Sequence, residues 1–229
     1  MLQIILQKVL ALYKRFKYNR AIAAKALEAR FNNIYKEKLW DGKGQSRSAA
    51  GSSLEATKNI REVLPKLLRE INAKSLVDLG CGDFYWMKEV DLPCEYFGLD
   101  IVKDVIEENR LQYANDMRKF YHHNAVEEKL PEQSDVVFCR EVLFHLSYED
   151  GLKLIKQLIN SNARYFLATT SLEIKENRDI RTGRFRNINL LKSPYSFPPY
   201  SMKIEDSESV SSDRYLALWD VHSIREAIS

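Results

Sequence analysis

Ser75-Leu76-Val77-Asp78-Leu79-Gly80-Cys81-Gly82-Asp83-Phe84-Tyr85-Trp86 decides how the rest of this chain is read. Leu76, Val77 and Leu79 suit a buried strand, Gly80 and Gly82 permit close approaches that a Cβ would block, and Asp78 places a carboxylate at the strand's end. The pattern predicts a ligand loop followed by a helix opening at Trp86-Met87, whose free N–H groups turn toward the bound molecule. A dinucleotide fingerprint needs a third glycine where Tyr85 stands, which disfavours nicotinamide cofactors. Tyr96-Phe97-Gly98-Leu99-Asp100 repeats the strand-then-carboxylate pattern, and in a doubly wound sheet Asp100 reaches a ribose diol.

Outward from this loop, the chain reads as one α/β domain. Its 229 residues, 45% hydrophobic, suffice for a single core with a short appendage. Apolar residues at Ile60, Val63, Leu64, Leu67, Leu68 and Ile71 form the stripe of a helix lying on a sheet, with Ser52 or Ser53 and Glu55 as a capping signal. Val102–Tyr113 and Tyr148–Leu158 read as further helices. Lys119–His122, Asp135–Cys139, Ala163–Thr170, Met202–Glu205 and Tyr215–Val221 read as strands. Ser171–Pro199 is the longest irregular segment, and Ser207–Asp213 is a polar turn.

Met1 to about Tyr35 reads as a basic amphipathic helix, with Ile4, Ile5, Val9, Leu12, Tyr13 and Phe16 on one side. Seven Lys and Arg against Glu28 alone give residues 1–30 a charge of +6 within a total of +3, so the remainder is acidic. An acidic body argues against phosphate-backbone binding, and no nucleic-acid partner is expected. The arm suits an anionic membrane surface or a partner protein, or else packs on its own domain. Three cysteines without a Cys-x-x-Cys suggest neither a disulfide framework nor zinc, and adjacent His122 and His123 point to opposite strand faces. No apolar run is long enough to span a bilayer and no cleavage site follows the first apolar stretch, so a cytoplasmic location is expected.

Asp78-x-Gly80-x-Gly82 with Gly98-x-Asp100 resembles the class I S-adenosylmethionine-dependent methyltransferases. Cys139-Arg140-Glu141-x-x-Phe144-His145-Leu146 and Asn177-x-Asp179-Ile180-x-Thr182-Gly183-x-x-Arg186-x-x-Asn189-Leu190 are similar to a subgroup of small methyltransferases, some attached to glycosyltransferases. The resemblance implies a Rossmann-like doubly wound seven-stranded sheet with an antiparallel last strand, as a methyltransferase domain over residues 40–229 behind a helical arm over 1–39. It implies S-adenosyl-L-methionine as cofactor, held by Asp78, Gly80, Cys81, Gly82, Asp100, Ile101, Asn124, Ala125 and Cys139. Gly80, Gly82 and the main chain near Cys139 take the methionine part, Asp100 the ribose and Asn124, through its amide oxygen, the adenine amino group. Ser48, Gly51 and Ser52 lie over the cofactor in that subgroup, and Arg61 is a candidate for its carboxylate.

The implied acceptor is a hydroxyl of a sugar or glycan, with a glycosyltransferase as a possible associate of the arm. A hydroxyl is a poor nucleophile, so a base is wanted; Glu141 and His145, four residues apart at the end of the fourth strand, are both candidates. Arg140 orients the acceptor with its fork of donors. Asn177, Asp179, Arg186, Asn189 and Phe197 supply polar groups and a ring for a hydroxyl-rich acceptor; the alternative is a structural loop bonded to itself. Rival readings are a methyltransferase for a non-sugar small molecule or nucleic acid, and an interaction module that keeps the fold without the chemistry. No metal is required.

Overall fold

Every residue of β1 (Ser75–Leu79) is buried, as a strand covered on both faces requires. This is seen in a computed structural model that describes residues 25–40, 46–206 and 213–228. The apolar stripe read from Ile4 to Phe16, residues 41–45 of the glycine- and serine-rich loop and residues 207–212 of the polar turn lie outside the described residues.

β1 sits between β2 (Glu95–Asp100) and β4 (Val136–Cys139), with β3 (Arg118–His122) beyond β2 and β5 (Tyr165–Ser171) beyond β4, all parallel. β7 (Arg214–Asp220) runs antiparallel to both β5 and β6 (Met202–Glu205), giving a seven-stranded sheet in the order β3-β2-β1-β4-β5-β7-β6. This is the doubly wound sheet with an antiparallel last strand that was expected. Its strand order reverses between β1 and β4, where ligands of open α/β sheets collect.

The period-two alternation of the strands sorts the core into two layers. Leu76, Tyr96, Phe138 and Leu218 pack with Ile60, Leu64 and Leu68 of α2 (Lys58–Glu70) and Ile106 of α3 (Lys103–Tyr113). Val77, Leu79, Val137 and Phe166 face the opposite way, onto Leu154 and Leu158 of α4 (Tyr148–Ile159) and Ile224 of α5 (Val221–Ile228). A further helix, α1, occupies residues 25–36 and buries Leu27 and Ile34 against this body. The described part of the arm is thus packed into the domain, the self-packing alternative for an amphipathic helix.

One expected element does not form. After the glycine loop there is only a single 3-10 turn, Met87–Glu89, and no crossover α-helix. Phe84, Trp86 and Met87 are all buried, and rings of Tyr96, Tyr113 and Phe120 surround Phe84, so consecutive large side chains are drawn into the core and no helical face is left to develop. Pro93 then supplies no N–H to continue a ladder.

Candidate active site

A cavity opens where the C-terminal ends of β1, β2 and β4 meet, lined by Asp78, Gly80 and Cys81, by Asp100 and Ile101, and by Arg140, Glu141 and His145. Asn124 and Ala125, just past β3, complete the side near β2. The strand ends bring these residues together because all five parallel strands point their carboxyl ends at one edge. Ser48 and Ser52 of the serine-rich turn also line the cavity, whereas Gly51 does not.

At one end, Asp100 offers a buried carboxylate whose two oxygens each accept one backbone N–H, from Gly82 at 3.0 Å and Val102 at 2.9 Å. Burial raises its pKa, and those N–H groups counter the rise. Each oxygen keeps lone-pair capacity for a diol, so the residue fits a ribose. Asp78 is enclosed beside it; burial pushes its carboxyl up to about 7, against the hydrogen bond from the Tyr96 hydroxyl at 2.7 Å. Gly80 has φ +69°, and a Cβ there would lie 2.6 Å from Val142 Cγ2, which explains why glycine is needed at this turn.

Several assignments change at this end. The N–H groups of Gly80 and Cys81 both donate to Leu99 O, at 2.8 and 3.1 Å, and that of Gly82 to Asp100, so the loop ties β1 to β2 and does not present donors to a ligand. Gly82 and Cys139 are not part of the cavity wall. Gly82 packs against Ser48, while Cys139 is a core residue whose thiol burial pushes up to about 12. The Asn124 amide oxygen already accepts Val126 N–H at 3.1 Å. Arg61 is also outside the cavity wall, donating to Leu54 O at 2.9 Å.

The other end is a buried ionic network. Arg140 donates through Nε and Nη2 to Asp206, at 3.1 and 2.8 Å, and through Nη2 to Gly51 O at 2.8 Å. Glu141 pairs with Arg214 of β7 and lies 3.8 Å from Arg140, while its N–H donates to Thr169 Oγ1 at 2.9 Å. Burial opposes ionisation of Glu141, but Arg140 and Arg214 outweigh it and hold the carboxyl below its ordinary range. Its φ of +61°, costly for a side chain with a Cβ, is retained because these partners over-determine it. Glu141 and His145 do not share an α-helical face, since only a 3-10 turn, Leu143–His145, forms between β4 and α4.

His145 is differently placed. Its Nδ1 lies 2.9 Å from Arg184 O, which makes Nδ1 the protonated nitrogen and leaves Nε2 as an acceptor. Burial depresses its pKa, against the pull of the Arg184 carbonyl and Glu141, so the ring is neutral at neutral pH. The rings of Trp40 and Phe185 flank it at 4.5 and 5.6 Å.

The long segment after β5 takes the self-bonded alternative. Asn177 Nδ2 donates to Asn189 O and Ser193 O, each at 2.9 Å, and its Oδ1 accepts Asn189 N–H at 2.8 Å. Asn189 in turn donates to Leu172 O and Ile174 O. Asp179 accepts Tyr148 N–H at 2.7 Å, capping the turn into α4; Arg186 donates to Leu146 O at 2.6 Å; Phe197 is a core ring. None of these five lines the cavity, and Arg186 keeps Nε and Nη2 buried without a hydrogen-bond partner. Their spacing reflects a loop whose backbone groups must be satisfied internally.

Leu27, Phe31, Tyr35, Trp40 and Trp86 also line the cavity, and Arg214 and Asp206 complete its ion network; sequence reasoning assigned no site role to any of them. The four-residue steps from Leu27 to Phe31 to Tyr35 were a visible signal of one helix face. Nothing local marks Arg214 or Asp206, which arrive from the far edge of the sheet. Among the described residues no group of three or more His, Cys, Asp or Glu is arranged to hold a metal ion.

A family model described as a methyltransferase domain matches residues 53–201, more than half of the chain. The chain belongs to this methyltransferase family. Among curated proteins, this methyltransferase is 29% identical over 150 residues to the tRNA U34 carboxymethyltransferase of Campylobacter jejuni subsp. jejuni serotype O:2, a match covering 61% of this chain and 49% of that protein. The chain therefore spans about half the length of the curated relatives it matches. Solved structures of similar fold include the magnesium protoporphyrin IX methyltransferase of Synechocystis PCC 6803 with bound SAM. Its TM-score is 0.56 at 15% identity, over 85% of this chain and 95% of that one. The N-methyltransferase NodS of Bradyrhizobium japonicum WM9, in complex with S-adenosyl-l-homocysteine, gives a TM-score of 0.54 at 13% identity, over 72% and 87%. At these identities the likeness concerns the fold.

Proposed function

We propose that this methyltransferase transfers a methyl group from S-adenosyl-L-methionine to a hydroxyl of a sugar-containing acceptor, with His145 as the base. The cofactor is S-adenosyl-L-methionine: Asp100 suits its ribose, Ile101, Asn124 and Ala125 border the adenine side, and Asp78, Gly80 and Cys81 line the path to the methionine part. When bound, it supplies an electrophilic methyl on a cationic sulfonium.

The observation that carries the base assignment is the single-sided engagement of His145, with Nδ1 on Arg184 O and Nε2 left to accept the hydroxyl proton. Glu141 is a poor proton acceptor because two guanidinium groups hold it ionised; its role is to accept a hydrogen bond and orient the acceptor. Arg140, tied to Asp206 and Gly51, is a positioning residue for Glu141 and part of the cavity wall. Trp40 and Trp86, with Phe31, offer rings that suit the C–H faces of a sugar, and this supports that acceptor class from the cavity wall.

A second reading, an acceptor on RNA, is favoured by the names of the curated relatives. Incubation with S-adenosylmethionine labelled in its methyl group, against separate glycan, nucleotide-sugar and RNA pools, decides between them. Label that is lost on glycosidase treatment supports the sugar reading. Ribonuclease-sensitive label replaces it with the RNA reading, and label in none of the three pools removes both.

A further inference from the structure

α1 and the residues after it contribute Leu27, Phe31, Tyr35 and Trp40 to the cavity wall, yet all lie ahead of the residues matched by the family. Three contacts seat them. Arg30 Nη1 donates to Thr182 O at 2.9 Å, with its stem close against Gly183, where a Cβ would come within 2.9 Å of Arg30 Cδ. The Tyr35 hydroxyl and Ser48 Oγ share a hydrogen bond of 2.8 Å beside the glycine loop. Trp40 lays its ring against His145.

The segment that Arg30 grips is the one that holds the histidine. Gly183 N–H donates to His145 O at 2.7 Å, and Arg184 O takes His145 Nδ1. One line of contacts therefore runs from α1 through residues 182–184 to His145, and Trp40 meets the same ring directly. The helix that walls the donor end of the cavity also braces the residue at its reactive end.

On the reading of this cavity as the donor site and of His145 as its base, we propose that α1 with Trp40 is a removable cover that couples donor retention to base alignment, Arg30 being its latch and Trp40 a positioning residue for His145. Seated, the cover keeps water from the transferring group and fixes the imidazole; lifted, it lets the donor exchange and releases the ring. The charged groups acting on that ring are Glu141, Arg214 and Arg186, none of which belongs to the cover, so their influence stays when Trp40 is trimmed.

The test uses the full chain and needs no acceptor. Dissociation of S-adenosylhomocysteine is followed by stopped-flow displacement, and the His145 titration by NMR of its ring protons, in wild type, Arg30→Ala, Trp40→Ala and Trp40→Phe. Loss of the latch or of the indole should speed dissociation about tenfold, with Trp40→Phe restoring most of the retention. In Trp40→Ala the His145 pKa should also rise toward its ordinary value, because water reaches the ring. Unchanged dissociation and unchanged titration in folded Arg30→Ala and Trp40→Ala, judged by circular dichroism, overturn the cover while leaving the cofactor reading intact. A wild type that binds no S-adenosylhomocysteine overturns the cofactor reading and the cover with it.

Discussion

His145 differs from Glu141 in which of its atoms are engaged. A carboxylate held by Arg140 and Arg214 is ionised but a weak base, whereas an imidazole fixed through Nδ1 presents a free lone pair. His145→Ala is therefore expected to lower turnover by ~10²-fold or more while donor affinity, measured calorimetrically, stays within about threefold. Glu141→Gln should act on stability as well, since it removes the carboxylate paired with buried Arg214. Breaking such a pair costs about 3–5 kcal/mol, a fall in Tm of roughly 10 °C by calorimetry. Asp78 provides a pH test. Its folded pKa of about 7 lies above the unfolded 3.8, so folding takes up a proton and the destabilisation from this carboxyl grows as pH rises from the unfolded value to the folded one. Asp78→Asn, which keeps an acceptor for Tyr96, should raise Tm more at pH 8 than at pH 5; equal shifts would refute burial as the cause.

At the scale of elements, the loop after β1 works through its shape and not through free donors. Its N–H groups at Gly80, Cys81 and Gly82 lock β1 onto the end of β2, which holds Asp100 at the cavity. Gly80→Ala would set a Cβ against Val142 at a positive φ, so the loop must shift. A loss of donor affinity of about tenfold is expected in calorimetric titration, and unaltered affinity would show that the turn has room to spare. The absent crossover helix belongs to this scale too. Trp86-Met87 looks like a helix start because large apolar residues follow a glycine turn, but those side chains are claimed together by one layer of the core, and that competition is invisible along the chain.

For the whole molecule, β1, β2 and β4 deliver carboxylates to one edge while β7 and residues 201–206 bring Arg214 and Asp206 across the sheet to pair with Glu141 and Arg140 of the cavity wall. Donor binding should thus brace the entire fold. With S-adenosylmethionine at a hundred times its Kd, linkage adds about 2.7 kcal/mol to stability, a shift of several degrees in Tm read by calorimetry. Absence of any shift with either S-adenosylmethionine or S-adenosylhomocysteine would remove the cofactor from the reading.

The sequence by itself determined the strand segments, the glycine turn and the carboxylate of Asp100, because each rests on local physics: period-two apolar runs, positive φ and a strand's end; the doubly wound order and the antiparallel last strand followed from the resemblance to class I methyltransferases. Arg140, Glu141 and His145 were also legible as neighbours, being consecutive or nearly so after β4. Only the tertiary structure decided which of them is engaged and by what, for Arg214, Asp206 and the Arg184 carbonyl come from distant segments and set the protonation of Glu141 and His145 by burial and charge. The same holds for Asn177 and Asn189, whose amides serve any nearby partner; the fold gave them backbone groups of their own loop. Trp40 and α1 became part of the cavity for that reason as well: an amphipathic helix carries its apolar face in the sequence, but the surface that face covers exists only once the sheet has formed.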